Sequence, residues 1–196
     1  MTGGADRRAI RLDYEAKWFL PVPTAFPSDG ADDATAWVDG LLAEHEVMEP
    51  WRDPSRRADL RELLLAQHAD LAGHGGIALW YCPFGLPASG VVEIAVEDRE
   101  GRPADPRAEL AGLRGDLPVR PVDVRARGLG PGVGYARVFE AGEPTTDAAA
   151  PRIAELGYVF TPDACAVAVR ARSADPSVVG ALSEQLWRLV DSVVLS

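Results

Sequence analysis

The chain is poor in positive charge. Lys17 is its only lysine, and lysine plus arginine number 20 against 30 aspartates and glutamates, which gives a formal net charge of −10. A nucleic-acid-binding protein needs a clustered basic surface that displaces counterions from phosphates. The short arginine groups at 7–11, 56–61 and 120–127 are each diluted by nearby acidic residues. We therefore expect neither nucleic acid nor an anionic membrane as a partner.

Long apolar runs are also absent. No segment approaches the roughly 18 consecutive apolar residues that a membrane-spanning helix needs. The opening stretch, MTGGADRRA, lacks the apolar core of a signal peptide. We expect residues 1–9 to form a disordered N-terminal arm, residues 10–196 to form a single domain, and the protein to be cytoplasmic.

Cysteine and histidine are scarce, with 2 and 3 copies. A disulfide framework in a secreted protein uses more cysteines, so we expect Cys82 and Cys165 to be buried, reduced thiols. His68 and His74 lie too far apart along the chain for the closely spaced, one-faced pair that a zinc site prefers. We therefore expect no metal and no cofactor. Whether Cys82, His68 and His74 converge in a pocket is left open by the sequence.

The glycine-rich stretch GLGPGVG, residues 128–134, resembles a phosphate-binding loop only superficially. A dinucleotide-binding fingerprint needs glycines at relative positions one, three and six before a helix, and this spacing fails from either Gly128 or Gly130. A strand pattern follows, so no helix N-terminus can face an anion. We interpret the stretch as the turn between two strands.

Signatures of catalysis are missing too. The chain contains no Gly-x-Ser-x-Gly nucleophile elbow. Its acidic clusters, at 98–105 and 44–49, have the spacing of a turn and of a solvated helix face. We therefore predict no catalytic residues, and the sequence argues against an enzyme without excluding one.

Apolar periodicity predicts both helices and strands. A spacing of three to four residues predicts helices over about 33–48, 55–71 and 176–193, the last capped by Asp175, and a short helix after Asp105. Alternation at every second residue predicts strands. They are expected at 77–84, 91–99, 119–128, 133–142, 152–160 and 165–171, with an edge strand near 16–22 that ends in Pro-x-Pro.

The order of these elements indicates the fold class. Consecutive strands joined by short turns favour antiparallel pairing, and helices precede, interrupt and follow the strands. The prediction is an α+β domain with a largely antiparallel β-sheet flanked by helices. The strand at 16–22 could pair with a second copy in a homodimer, although its prolines disfavour a long pairing.

Three aromatic residues are the candidate partner-binding residues. Trp80 and Tyr81 are adjacent on a strand and must face opposite sides of the sheet, so that one is core and the other is covered by helices or by a partner. Trp51 lies in the connection Pro50-Trp51-Arg52-Asp53-Pro54, where a loop would expose it. Tryptophan is enriched among interface anchors.

The C-terminal segment CAVAVRARSADPSVVGALSEQLWRLVDSVVLS, together with the early FLPVP strand, resembles the PsbP-like α/β/α sandwich family. In particular it is similar to the strand–helix ending of small actinobacterial proteins of that fold, most clearly over residues 151–196. The resemblance implies a fold without a catalytic motif. Members of the family are mostly accessory proteins: photosystem extrinsic subunits, a Ran-binding regulator, and chaperones for bacterial secretion effectors.

The leading hypothesis is therefore a non-enzymatic protein-interaction module, an adaptor or chaperone for a partner protein in a secretion or toxin context. The alternative is a small-molecule-binding protein or unusual enzyme with a pocket between sheet and helices. The acidic charge also allows a protein that neutralises a basic toxin through electrostatic steering.

Overall fold

The computed structural model describes residues 10–44, 53–71, 76–83, 90–98, 105–141, 150–162 and 165–196. Within these ranges the strands are β1 Ile10–Arg11, β2 Phe19–Val22, β3 Ile77–Tyr81, β4 Gly90–Asp98, β5 Val122–Ala126, β6 Gly130–Glu140, β7 Arg152–Phe160, β8 Cys165–Ser173 and β9 Val194–Leu195. The helices are α1 Ala34–Glu44, α2 Pro54–Leu71 and α3 Pro176–Ser192. The predicted arm at 1–9 lies outside the described residues.

Seven strands form one sheet in the order β2-β3-β4-β8-β7-β6-β5, and every neighbouring pair is antiparallel. β1 and β9 pair separately as a two-stranded sheet. The prediction of an α+β fold with a largely antiparallel sheet flanked by helices is confirmed. The strand expected near 16–22 is β2, which occupies one edge of the sheet, and β5 occupies the other.

The glycine-rich stretch forms a hairpin, as the sequence predicts, but its turn is shorter than expected. β5 ends at Ala126, and β6 already begins at Gly130, in antiparallel register with it. Most of the glycines therefore belong to β6 rather than to the turn. The short helix expected after Asp105 is a single 3-10 turn, Ala108–Leu110.

Helix α3 covers one face of the sheet. Asp175 caps it, because its carboxylate accepts a hydrogen bond from the Ser177 amide at 2.8 Å, and Pro176 opens the first turn. The buried stripe of α3 packs on the alternate residues of β8 that face it. The stripe consists of Val179, Leu182, Leu186, Leu189 and Val190, and the β8 residues are Val167, Val169 and Ala171.

Helices α1 and α2 cover part of the opposite face. Asp33 accepts a hydrogen bond from the Ala36 amide at 2.8 Å, and Asp53 accepts one from the Ser55 amide at 2.9 Å. An aspartate directly before each helix therefore caps its N-terminus. Their buried leucines pack around the strand residues Val22, Ala78, Trp80 and Cys82. The predicted continuation of α1 towards Met48 lies outside the described residues.

The two faces are covered unevenly. On the α1–α2 side, the 3-10 turn adds a small cluster in which Leu110 packs on Val133, Tyr135 and Val159. On the α3 side, most side chains of the first half of β5 and the adjoining parts of β6 and β7 are only partly buried or exposed. This uncovered area lies beside the N-terminal half of α3.

Candidate functional site

The aromatic pair predicted to contact a partner is enclosed by the chain itself. Trp80 is 0% exposed and packs with the leucines of α1 and α2, and Tyr81 is 4% exposed and packs with Phe19 on the α3 side. The prediction that these neighbours face opposite sides of the sheet is confirmed. Both rings are buried by other parts of the chain, Trp80 by α1 and α2 and Tyr81 in part by Trp18 and Phe19, so neither is exposed to a partner in this fold. Trp51 lies outside the described residues, and its role stays a prediction.

Cys82 is a core residue. It is 1% exposed and shares a cluster with Leu42, Leu60 and Leu64. Burial raises the pKa of its thiol to about 12. Because the thiolate is the reactive form, a thiol protonated at neutral pH is a poor nucleophile.

Of the three histidines, His68 is the one that lies within the described residues. The ring of His68 contacts Phe26 at 5.2 Å and Trp37 at 6.2 Å between centroids, and its Nε2 is buried without a hydrogen bond among the described residues. His74 lies outside the described residues, so its convergence with Cys82 and His68 stays untested. The described part of the chain holds no group of three or more residues placed to bind a metal ion.

A large open groove lies on the α3 side of β5, β6 and β7. It encloses about 1490 Å³. Leu117 and Val122 form one wall, and Pro176 and Val179 at the start of α3 form the other. The floor consists of Gly134, Ala136, Val138, Ala154, Leu156 and Tyr158. We call this concavity the β5–β7 groove.

Small residues in β6 make the floor low. Gly134 and Ala136 face the groove from β6, the strand next to the β5 edge of the sheet. A Cβ atom on residue 134 would stand 3.0 Å from the ring of Tyr158, so a side chain there would displace that ring. The glycines that suggested a phosphate loop therefore shape an apolar surface instead.

Two wall residues are unusually exposed. Leu117 is 78% exposed and Val122 is 64% exposed, and both are among the three large apolar side chains identified as exposed in the described residues. Isolated exposed leucines are common on protein surfaces, but clustered apolar exposure beside a concavity is typical of an interaction site. The rim carries Arg120 and the ion pair of Arg152 with Asp116.

The opposite face of the same strands carries a buried charged network centred on Glu155. The Glu155 side chain is 0% exposed. It accepts hydrogen bonds from Tyr135 Oη at 2.9 Å, Arg137 Nε at 2.7 Å and Arg172 Nε at 2.6 Å. Arg172 also donates to Glu93 at 2.9 Å, so the network links β4, β6, β7 and β8.

The network holds Glu155 as a carboxylate. Burial by itself would raise its pKa, but hydrogen bonds from Arg137 and Arg172 outweigh burial, and the pKa lies below its ordinary value. Burial and the adjacent Glu155 charge raise the pKa of Tyr135 to about 12. A carboxylate with a lowered pKa that is already bonded to three donors is a weak proton acceptor, so the arrangement suits cross-linking of strands better than acid–base catalysis.

Sequence reasoning missed both features for identifiable reasons. In β7, the segment RIAELGYVF places Glu155 on the same face as Val159, in an otherwise apolar pattern, and a charge at such a position was the available signal. Its partners on β6 and β8 depend on strand register. The groove left only the weak signal of small residues alternating through GPGVGYA.

No helix among the described residues has both the length and the apolar character needed to cross a membrane. Comparison with known proteins gave neither a matching family model nor a matching curated protein.

Proposed function

We propose that the protein is a non-enzymatic interaction module, an adaptor or chaperone, that holds a short apolar segment of a partner protein in the β5–β7 groove. The observation that carries this proposal is the clustered exposure of Leu117 and Val122 along an open groove of about 1490 Å³. Apolar area removed from water on binding contributes about 25 cal/mol per Å² before the costs of association.

The character of the groove favours a polypeptide over a small ligand. Small-molecule sites are typically enclosed clefts of about 300–1,000 Å³ with a few converging polar groups. This groove is larger and open, and its polar groups lie at the rim, where Arg152 is engaged by Asp116. The resemblance to the PsbP-like family, whose members are mostly accessory proteins, points the same way by analogy only.

A small apolar ligand is the second candidate, favoured by the same apolar lining. A protein that neutralises a basic toxin is less well supported, because Asp116 at the groove rim is already paired with Arg152 and the rim also carries Arg120.

Selection of a random peptide library displayed on phage against the wild-type protein tests the proposal. We expect the selected peptides to share apolar residues at regular spacing and to lose at least tenfold in affinity for Leu117→Asp and Val138→Asp. Val194→Asp is the matched control, since Val194 is 48% exposed but lies in β9, away from the groove. Affinities can be measured by fluorescence anisotropy of the labelled peptides.

Two outcomes would contradict the proposal. One is a failure to select any peptide; the other is peptides that bind all three variants as tightly as the wild type. A long-chain fatty acid that binds the wild type but not Leu117→Asp, with no peptide selected, would favour the small-ligand alternative.

A further inference from the structure

The two edges of the seven-stranded sheet differ in how they are protected. An edge strand presents unpaired backbone N–H and C=O groups to any strand that can pair with them. β2 contains Pro21 and is followed by Pro23, which cannot donate backbone hydrogen bonds. β5 is preceded by Pro121 but has no proline between Val122 and Ala126, and no described strand pairs with its outer side.

The side chains of β5 are accessible as well. Val122 is 64% exposed on the groove face, and the Asp123 side chain is 78% exposed on the other face. Arg125 is exposed and has no ion pair among the described residues, whereas Asp123 pairs with Arg107. The edge therefore combines accessible backbone with one acid and one base at alternate positions of the same face.

The sequence of β5, VDVRA, is complementary to itself. In antiparallel pairing about a twofold axis at Val124, Asp123 of each copy stands opposite Arg125 of the other, and Val122 stands opposite Ala126. Directly opposed unlike charges stabilise an antiparallel pair, and opposed like charges destabilise it.

The two neighbouring registers place like charges opposite each other. Residues that stand opposite each other in an antiparallel pair lie on the same face of the sheet. The twofold axis can therefore pass only at a residue, not between two residues. An axis at Asp123 opposes two aspartates, and an axis at Arg125 opposes two arginines. An axis at Arg125 also places Asp123 opposite Arg127, which already pairs with Asp191. The register centred on Val124 is therefore the one that opposes unlike charges without also opposing like charges.

We propose that β5 pairs with β5 of a second copy of this chain, in the register centred on Val124, to form a homodimer with one continuous fourteen-stranded sheet. A twofold axis perpendicular to the sheet leaves both β5–β7 grooves on the same face, on either side of the new strand pair. The proposal rests on β5 alone and is independent of what the grooves bind. The dimer edge is β5, not the β2 edge that the sequence suggested.

Charge-reversal variants test the register. Each charge-reversal variant is made in an Arg107→Ala parent, so that the ion pair of Asp123 with Arg107 within one chain does not affect the comparison. We expect the wild type and this parent to show, in sedimentation velocity, a mass that rises with concentration towards twice the 20.9 kDa of one chain. Arg125→Asp alone, which opposes two acids, and Asp123→Arg alone, which opposes two bases, are expected to remain monomeric.

Mixing the two single variants gives the decisive measurement. Every opposed pair in the mixed dimer is again unlike in charge, so the mixture is expected to dimerise although neither component does. Arg188→Asp is the matched control, because Arg188 is exposed on α3 away from β5, and it is expected to dimerise like the wild type.

A wild type that stays monomeric at every concentration, single variants that dimerise as well as their parent, or a mixture that stays monomeric would each overturn the proposal. Masses are compared only for variants whose circular dichroism spectra match that of the parent, because a matching spectrum shows that the variant is folded. If a single variant fails to fold, Arg125→Glu and Asp123→Lys replace the pair with the same expected pattern. None of these readouts depends on groove binding, so failure of the dimer and failure of the proposed function are distinguishable.

Discussion

At the scale of single residues, burial and hydrogen bonding decide what each ionisable group can do. Glu155 and Cys82 are both buried, yet they differ in ionisation. Glu155 receives hydrogen bonds from two guanidinium groups and stays charged. Cys82 is buried among apolar residues of β2, β3, α1 and α2, and burial raises its pKa to about 12. The same low-polarity interior thus favours the charged form where counter-charges are bonded to it and the neutral form where they are not.

Replacement of Glu155 by glutamine is expected to destabilise the fold. The variant leaves Arg137 and Arg172 without the carboxylate they share, and removal of one partner of a buried ion pair costs about 3–5 kcal/mol in the free energy of unfolding. Urea denaturation at pH 7 measures the loss. Glu140→Gln, at an exposed position on β6, is the control and should stay within about 0.5 kcal/mol of the wild type.

The stability lost in the Glu155→Gln variant should become smaller as the pH falls. The pKa of Glu155 is lowered in the folded state from an ordinary value of 4.5, so its charge contributes stability that is complete above that value. The contribution is lost as pH falls through the lower, folded-state pKa. We expect the difference between wild type and Glu155→Gln to be constant from pH 7 to pH 5 and to narrow near pH 3. A difference that grew towards acid pH would contradict the role assigned to the network.

At the scale of elements, local signals and packing agree most closely in α3. The Asp175 cap, Pro176 in the first turn and a continuous apolar stripe were all visible in the sequence, and the helix begins and ends near the predicted residues. α2 is a contrast, because half of its 18 residues are polar or charged and its packing depends on a few leucines. Leu64 is 1% exposed and packs in the cluster that encloses Trp80.

Truncation of Leu64 tests whether α2 is an integral layer of the fold. Leu64→Ala removes a buried side chain and leaves a cavity, which costs about 2–5 kcal/mol in cores of this kind. Leu117→Ala is the matched control, since Leu117 is 78% exposed and its truncation should change stability by less than about 0.5 kcal/mol. Thermal or urea unfolding followed by tryptophan fluorescence compares the two. Equal effects would contradict the packing described for α2.

At the scale of the whole molecule, the two helical layers share the same strands. Alternate residues of β3 point into opposite layers, with Trp80 towards α1 and α2 and Tyr81 towards the α3 side. Loss of either helical layer would expose one face of the strands against whose other face the remaining layer packs. The single domain expected over residues 10–196 therefore predicts that both helical layers and the sheet unfold cooperatively.

We expect unfolding in one transition. Urea curves from tryptophan fluorescence and from far-ultraviolet circular dichroism should superimpose, because neither layer can unfold while the other keeps its core. Separate midpoints for the two signals would show that the α1–α2 layer unfolds independently of α3 and the sheet. Curves recorded at two protein concentrations distinguish any shift caused by dimer dissociation.

The fold class was accessible from the sequence because its signals are local. Alternation in CAVAVRARS and the three-to-four spacing after Asp175 each depend on neighbouring residues, and each predicts the element that forms. The site was less accessible. Trp80 and Tyr81 drew attention as aromatic residues, but their burial depends on helices some tens of residues away in the chain.

The sequence by itself determined that this chain alternates apolar residues into strands, closes with a capped amphipathic helix, and lacks the motifs of common catalytic and phosphate-binding sites. Tertiary structure alone decided which residues meet. Strand register brought Glu155 to Arg137 and Arg172, and the packing of α3 on the sheet left the β5–β7 groove open. The physical reason is that periodicity acts within a few residues, whereas pairing between distant strands is selected by the free energy of the whole packed sheet.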